Sequence, residues 1–350
     1  MNSKSRALRL LLILILVAVG TTFLSLPTLA QPEPTTAEKL GEALKFYSGL
    51  DFDKGLAVAN EQLARKNLSS EDSIAIFEVL SIITYAKGEE YLQKSIDYLE
   101  KISHIGPCVI SLPHEIWPRQ LRDKWYGILK GKNALLCSDQ SKPGVKTIAI
   151  MEFDNFSVGK YQQELGYLSK GLADFFEHDF AKISDLKVIE RDKIDFVLKE
   201  LELQKSDKVD QSTVVQVGKI LGAQYMVFGS ITQLDEKNTR MIVRAVKVET
   251  SEIVASVDKE GRPEYSKLEK ELVEELAKKL DFQVNDQTKN LILEGGSVST
   301  DAVTLYSQGL AFMDKYDYKA AYQYFKRAYE LDNKFVEARR KMEIYRPLAG

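Results

Sequence analysis

Cysteine and histidine are both scarce in this sequence, with two cysteines and three histidines in 350 residues. A metal centre or a Cys/His catalytic centre needs several such side chains, and this chain has few. Glycine and proline, at 20 and 9 residues, are too few for a collagen-like or low-complexity chain. The 48 Lys and Arg residues face 51 Asp and Glu residues, so there is no basic excess. We expect no nucleic-acid partner, because clustered Lys and Arg normally neutralise the phosphate backbone.

Residues 1–30 carry the pattern of a secretory signal peptide. Basic residues near the start precede an apolar run at Leu10–Val19, and small residues stand at Thr28 and Ala30, as before a cleavage site. We predict cleavage after Ala30 and an exported, periplasmic mature chain without a membrane span. The alternative is an uncleaved anchor helix over Leu10–Leu26, which approaches the ~20 residues needed to cross a bilayer.

Export also bears on the two cysteines, Cys108 and Cys137. Paired cysteines in an oxidising compartment usually form a disulfide, and these two lie 29 positions apart (137 − 108 = 29). We expect a disulfide between them, and the alternative is two independent buried thiols. A catalytic thiol is disfavoured, since neither cysteine belongs to a C-x-x-C pair.

With 44% hydrophobic and 28% charged residues, the chain has the composition of a globular protein, and its length suggests two or more domains. The periodicity of the hydrophobic residues divides it into predicted structural parts. Leu40, Ala43, Leu44 and Tyr47 recur at three- and four-residue intervals and predict a helix. Further helices follow, as in tetratricopeptide-like pairs, although any antiparallel bundle has this periodicity. After the signal peptide, the predicted parts are a tetratricopeptide-like helical region at 36–105, a cysteine-bearing connector at 106–144, an α/β domain at 145–283, a linker at 284–300 and a tetratricopeptide-like repeat at 301–350.

The C-terminal region has a sharper helical pattern, in which small residues stand where two helices approach and larger residues pack between them. The residues with this spacing are Leu305, Gly309, Phe312, Ala321, Phe325 and Ala328. They resemble the tetratricopeptide repeat family over Asp301–Lys334, although Asn333 stands where the family usually has proline. One isolated repeat cannot bury its own apolar face, so it must pack against a neighbour. The N-terminal helical region, the α/β domain and another subunit are all candidates.

The central region alternates short apolar strands with amphipathic helices, the pattern of an α/β domain. The first strand is predicted at Thr147–Phe153, a turn at Asp154 and Asn155, and one helix from about Gln163–Ile183. Asp192 is predicted to cap the helix after the second strand. The predicted fold class is therefore α/β, a mixed sheet with packed helices, flanked by all-α segments.

Five stretches of the central region carry short motifs: IAIMEFDN, LSKGLADFF, LKVIERDKIDFVLKELELQ, VGKILGAQYMVFGSI and VRAVKVETSEIVAS. In this order they resemble the curli production assembly/transport component family, the CsgG-like proteins, over residues 146–282. The motif residues are Phe153, Gly171, Glu190, Arg191, Gly222 and Gly229. For each of them we prefer a role in the fold to a role in ligand binding, because turn glycines and local ion pairs need no substrate.

The resemblance implies an exported envelope protein of the secretion or assembly type, in the periplasm or associated with the outer membrane. It also implies a homo-oligomer such as a ring. In pore-forming members, two hairpins of this domain cross the membrane. The corresponding segments here, Thr232–Arg240 and Asp258–Glu264, are short and charged, and the lipid-bearing cysteine of that group is missing. The channel function therefore does not carry over.

These observations favour a non-enzymatic periplasmic scaffold or adaptor that binds envelope proteins or peptides through its helical-repeat surfaces. The alternatives are a subunit of an outer-membrane secretion channel and a small-molecule-binding periplasmic protein. Glu152 and Asp154 form the best candidate pair of catalytic carboxylates. An enzyme is nevertheless disfavoured, because no nucleophile with a base accompanies them. No cofactor or metal is predicted.

Overall fold

The computed structural model describes residues 34–108, 116–136, 145–201, 210–293 and 298–350. The predicted signal peptide lies outside these residues. Thr35–Gly350 forms one compact unit. Within the described residues, no helix is both long enough and apolar enough to cross a bilayer. Cys108 is disulfide-bonded, but Cys137 lies outside the described residues, so the pairing of the two stays a prediction.

The N-terminal helices pack around a common apolar core, and three of them begin at polar caps. Thr35 forms a capping box with Glu38, and the Ser69 hydroxyl accepts a hydrogen bond from the Asp72 N–H at 2.9 Å. The helices are α1 (Thr36–Ser48), α2 (Phe52–Leu63), α3 (Ser70–Ala86), α4 (Leu92–Ile105) and α5 (Arg119–Gly131).

Helix α5 lies in the segment predicted as a connector, and it packs onto the N-terminal helices. Trp117 and Trp125 are each 1% exposed, and both belong to the same apolar core as Ile83 of α3. The described part of this segment is therefore an integral part of the N-terminal helical region.

The central region contains a mixed sheet. Its strands are β1 (Lys146–Ile150), β2 (Asp154–Asn155), β3 (Leu186–Ile189), β4 (Tyr225–Gln233), β5 (Thr239–Lys247) and β6 (Glu252–Gly261). The strand order is β3-β1-β4-β5-β6, and β2 pairs with β4. Strand β1 is parallel to β3 and β4, whereas β4, β5 and β6 are antiparallel neighbours. The predicted α/β class with a mixed sheet is confirmed.

Helices cover both faces of this sheet. They are α6 (Lys160–Glu164), α7 (Leu168–Phe180), α8 (Arg191–Glu200), α9 (Gln211–Leu221), α10 (Tyr265–Lys279) and α11 (Asp286–Leu293). On one face, Leu172 of α7 and Leu272 of α10 share a core with Val243 of β5. On the other face, Val217 of α9 shares a core with Met226 of β4.

The C-terminal region folds as a helical hairpin followed by a third helix, namely α12 (Thr300–Met313), α13 (Tyr318–Leu331) and α14 (Val336–Tyr345). Helices α12 and α13 approach closely at Gly309, where an added Cβ would lie 2.6 Å from the Phe325 ring. Helix α12 also approaches α7, because a Cβ at Gly171 would lie 1.9 Å from Ser307 Oγ. The C-terminal helices therefore pack against the α/β domain.

Two local predictions in the central region are wrong. Asp154–Asn155, predicted as a turn, forms β2, which pairs in parallel with Ser230 and Ile231 of β4. Backbone pairing with a long strand overrides the turn preference of Asp and Asn. The single helix predicted at Gln163–Ile183 is divided into α6 and α7 around Gly166, since glycine is a poor helix former.

Two further details differ from the sequence analysis. The segment 284–300, predicted as a linker, contains α11, which is held by the buried side chain of Ile292. Asp192 does not cap α8, because Glu190 is the cap position and the helix begins at Arg191. Asp192 lies within the first turn and pairs with arginines of α5.

The close approach at Gly309 leads to a stability prediction. We expect Gly309→Ala to lower the free energy of unfolding by about 1–2 kcal/mol, because the new methyl group overlaps the Phe325 ring. Gly127→Ala in α5 is the matched control, since a Cβ there meets nothing within 4 Å. That change should raise stability by up to about 1 kcal/mol through helix propensity. Denaturant unfolding measures the stability of both variants. A destabilised Gly127→Ala together with an unaffected Gly309→Ala would contradict the close packing of α12 on α13.

Candidate functional site

A buried cluster of charged side chains lies where the N-terminal helices, the sheet and the C-terminal helices meet. Glu152 follows β1 and Arg191 follows β3, and these parallel strands bring their carboxyl ends to one edge of the sheet. That edge is where α/β sheets usually bind ligands. We call the cluster the ion network, and its members are Arg119, Arg122, Glu152, Lys170, Arg191, Asp192, Asp195 and Asp314.

Asp314, which directly follows α12, is held by three cations. Arg191 donates from Nη1 and Nη2 to its two carboxylate oxygens, each at 3.0 Å. Lys170 of α7 donates to Asp314 at 2.7 Å, and Arg119 of α5 donates to it at 3.1 Å. A guanidinium that makes two parallel bonds fixes both the position and the orientation of a carboxylate. Asp314 therefore attaches the C-terminal helices to both other regions.

Arg119 connects α5 to α8 through a side chain that is 1% exposed. It contacts one carboxylate oxygen of Asp192 and donates to Asp195 at 3.2 Å. Arg122, one turn further along α5, contacts the other carboxylate oxygen of Asp192. Removing one partner from such a group leaves a buried charge uncompensated, so its members depend on one another.

The field of the arginines keeps Asp314 and Asp192 ionised, whereas burial raises the pKa of Asp195. Burial alone would raise the pKa of Asp314, yet Arg191 and Lys170 hold this pKa well below its usual range. Arg122 and Arg119 likewise lower the pKa of Asp192 against the effect of burial. Because these pKa values are depressed on folding, the stability they contribute is present at neutral pH and is lost as the pH falls through the folded-state values.

Hydrogen bonds beside the ion network connect the two helical regions directly. The Gln120 N–H donates to the Tyr318 hydroxyl at 3.0 Å, and the Tyr85 hydroxyl donates to the Gln120 side chain at 2.6 Å. The Tyr316 hydroxyl donates to Asp123 at 2.5 Å. The N-terminal and C-terminal helices therefore pack against each other as well as against the sheet.

A cavity of about 130 Å³ adjoins the ion network between α7, α8 and α14. Burial, together with Asp174 and Glu190, raises the pKa of Glu177 to about 8, so this carboxyl group is protonated at neutral pH. A cavity lined by polar and charged groups normally holds water or a polar ligand. The charged lining comprises Arg122, Asp174, Glu177, His178, Glu190, Arg191, Asp192, Glu337, Arg340 and Lys341.

Four of the family-motif residues sit at close contacts or turns of the fold. Phe153 is 2% exposed, and a Cβ at Gly229 would lie 2.7 Å from its ring. Gly222 ends α9 in the left-handed region with a φ of 66°. Gly171 allows the approach of α7 to α12. Gly171 and Gly229 leave no room for a side chain beside a tightly packed neighbour, and Gly222 has a backbone conformation that glycine adopts without steric cost.

Glu190 and Arg191 contact residues far away in the sequence. Glu190 accepts a hydrogen bond from the Tyr126 hydroxyl of α5 at 3.0 Å. Arg191 binds Asp314, which lies 123 positions further along the chain. The two adjacent charges predict a local ion pair, whereas in the structure they join the α/β domain to both helical regions.

The residues expected to pack the C-terminal repeat lie in or beside its core. Ala321, Phe325 and Ala328 are fully buried, and Leu305 and Phe312 are partly buried at the edge of the same core. Together with Gly309, they hold α12 and α13 in contact.

Three carboxylates of the ion network, Glu152, Asp195 and Asp314, have oxygen atoms within 4.8 Å of one another. Oxygen ligands at such spacing suit a hard cation. Here Lys170 lies 2.6 Å from Glu152 and 2.7 Å from Asp314, and Arg191 lies 3.4 Å from Asp195. Side chains of the protein thus supply positive charge to all three, which is the arrangement of a structural ion cluster.

Sequence reasoning missed most of the ion network. The stretch ERDKID does place Arg191 and Asp195 one turn apart, which signals a charged helical face on α8. No local pattern, however, pairs this face with Arg119 or Asp314, because both lie in other regions of the chain.

Residues 134–242 match the sequence model of the family described as curli production assembly/transport component CsgG. The resemblance drawn from the motifs is confirmed for this stretch. Residues 243–282 lie beyond the match, and the tetratricopeptide-like character of the helical regions stays a prediction. No curated protein gives a significant match to the chain.

Solved structures that show a partial likeness to the chain include the following three. The LpoB C-terminal domain from Salmonella enterica is 15% identical, and the likeness covers 35% of this chain and 85% of that one, with a TM-score of 0.26. The same domain from Escherichia coli is 13% identical, and the likeness covers 38% of this chain and 93% of that one, with a TM-score of 0.27. TolB from Acinetobacter baumannii is 13% identical, and the likeness covers 39% of this chain and 28% of that one, with a TM-score of 0.27.

The burial of Arg191 leads to a mutational prediction. We expect Arg191→Met to lower the free energy of unfolding by about 3–5 kcal/mol, because it removes the bidentate partner of Asp314 and one of the two arginines that bind Asp195, which leaves these buried carboxylates undercompensated. Arg240→Met is the matched control, since the Arg240 and Asp258 side chains are 52% and 51% exposed. Its effect should stay within about 1 kcal/mol. Denaturant unfolding at neutral pH measures the two values, and equally small losses would contradict a network that joins the regions.

Glu177 leads to a prediction about pH. A carboxyl group whose pKa rises from 4.5 to about 8 on folding makes the protein less stable as the pH rises between these values. A neutral amide does not have this dependence. We therefore expect the stability of Glu177→Gln, relative to the wild type, to increase by up to about 1.4 kcal/mol per pH unit over this range.

Unfolding by urea at several pH values between the two pKa values measures this difference. Glu236→Gln serves as the control, because the Glu236 side chain is 82% exposed. If the free energy of unfolding of Glu177→Gln differs from that of the wild type by the same amount at every pH, the Glu177 carboxyl group is ionised in the folded protein.

Proposed function

We propose that this chain, whose residues 134–242 match the CsgG family, is a non-enzymatic periplasmic scaffold or adaptor of curli-type assembly. Its partners are envelope proteins or peptides, which bind to its helical surfaces. The predicted signal peptide and the envelope association of the family support this location.

The observation that carries the proposal is the ion network, which joins three regions into one unit. An adaptor must present its surfaces in a constant relative orientation. Arg119 and Arg191, from two different regions, both bind Asp314 of the third region, and all three side chains are largely buried, so they supply that constancy. Glu152, one of the two carboxylates considered for catalysis, is bonded to Lys170 at 2.6 Å, which supports a structural role.

The packing of the C-terminal helices indicates which surface is open to a partner. One face of α12 lies against α7, so that face is already occupied by the chain itself. At the other end of the repeat, Leu331 and Val336 are 53% and 58% exposed on either side of the α13–α14 connection. In repeat proteins, the following repeat or a ligand packs at such an end. We assign partner binding to this surface.

We expect the amount of envelope partner recovered with the double variant Leu331→Glu, Val336→Glu to fall at least about tenfold, because two charges replace the apolar contact. Cross-linking of the exported chain in intact cells, followed by mass spectrometry, measures the recovered partner. Leu291→Glu on α11 is the control, since Leu291 is an exposed leucine, at 40%, outside the repeat.

Identical partners for the wild type and both variants would refute this assignment. Light scattering on the purified proteins adds a second readout. If the wild type forms a discrete oligomer and only the double variant dissociates, the occupant of the surface is another copy of this chain.

A further inference from the structure

Asp314 has the geometry of a bound ligand. It lies at the carboxyl ends of β1 and β3, beside Glu152 and Arg191, where α/β sheets receive ligands. It comes from outside the α/β domain, at the end of α12. Its two carboxylate oxygens accept four hydrogen bonds of 2.7–3.1 Å from three cations.

None of these cations belongs to the helix that carries Asp314. Lys170 is on α7, Arg191 is on α8 and Arg119 is on α5, so the receiving groups are positioned by the other two regions. Arg119 also has Asp192 and Asp195 as partners, and Lys170 also has Glu152. These additional bonds hold the receiving side chains in place independently of Asp314, as in a preorganised binding site.

We propose that Lys170, Arg191 and Arg119 form a carboxylate-binding site of which Asp314 is the resident, tethered ligand. The site takes a single carboxylate group, from a small carboxylic acid or from an acidic residue, when Asp314 is absent. The inference goes beyond the adaptor function, because it requires no partner at the α13–α14 connection.

The geometry also provides access for a small anion. The cavity of about 130 Å³ has Arg191 in its wall and lies beside the site. This volume is well above the ~10–15 Å³ that a single water needs, so the cavity has room for formate or acetate. The Asp314 side chain is itself 14% exposed, so the site is not sealed from solvent.

Chemical rescue of Asp314→Ala tests the proposal. We expect this variant to unfold at a lower temperature than the wild type, and sodium formate to raise its unfolding midpoint saturably, by about 3 °C or more. Sodium chloride at the same ionic strength should not do so. The wild type should show no difference between the two salts, because its own carboxylate fills the site.

Asp317→Ala is the matched control. It makes the same chemical change three positions further along, where Asp317 caps α13 by accepting a hydrogen bond from the Ala320 N–H at 2.9 Å. This variant should be destabilised without responding to formate. An absent formate effect in Asp314→Ala, or an equal effect in Asp317→Ala, would overturn the proposal.

Two further variants keep the test decisive. Adding Lys170→Met to Asp314→Ala should abolish the formate response, because it removes a receiving cation. Asp314→Asn should fold without responding, because the amide occupies the site. If Asp314→Ala does not fold in chloride, its refolding yield in formate becomes the readout, and equal yields in the two salts would refute the site.

Discussion

The arrangement of this chain depends on the neutralisation of a few buried charges. Arg119 and Arg191, which are 1% and 4% exposed, are removed from water and need carboxylates from more than one region. An ion left in the interior without a partner costs several kcal/mol. If one of the three regions turned away, it would leave such an ion behind. The network therefore specifies one relative orientation of the regions in addition to contributing stability.

Apolar contacts complement these charges at the C-terminal helices. The Phe175 ring of α7 stacks on Tyr306 of α12 with centroids 5.5 Å apart, and Phe335 lies 4.9 Å from the same tyrosine ring. Helix α7 thus covers one face of the C-terminal helices. The face of α12 that meets α7 is occupied from within the chain, whereas Leu331 and Val336 beside the α13–α14 connection stay exposed.

Local patterns in the sequence were sufficient for most helices and strands, because apolar residues at three- and four-residue spacing identify a buried face. The end of α9 could also be predicted, because Gly222 readily adopts the left-handed conformation that ends a helix. The ion network could not be predicted from such local patterns. Arg119 pairs with residues 73 and 195 positions away, and no periodicity links such distant side chains. Asp154 shows the same limit on a smaller scale, because its pairing with β4 outweighs its local turn preference.

The position of Asp314 along the chain has a consequence for synthesis. It follows Arg119 by 195 positions, Lys170 by 144 and Arg191 by 123. During translation, the three cations are thus made long before the carboxylate that completes their coordination. Contacts of such large sequence separation form late, since a long loop must close first. A chain that lacks Asp314 therefore leaves the three cations without the carboxylate that joins them, so the three regions are fixed relative to one another only after the C-terminal helices have been made.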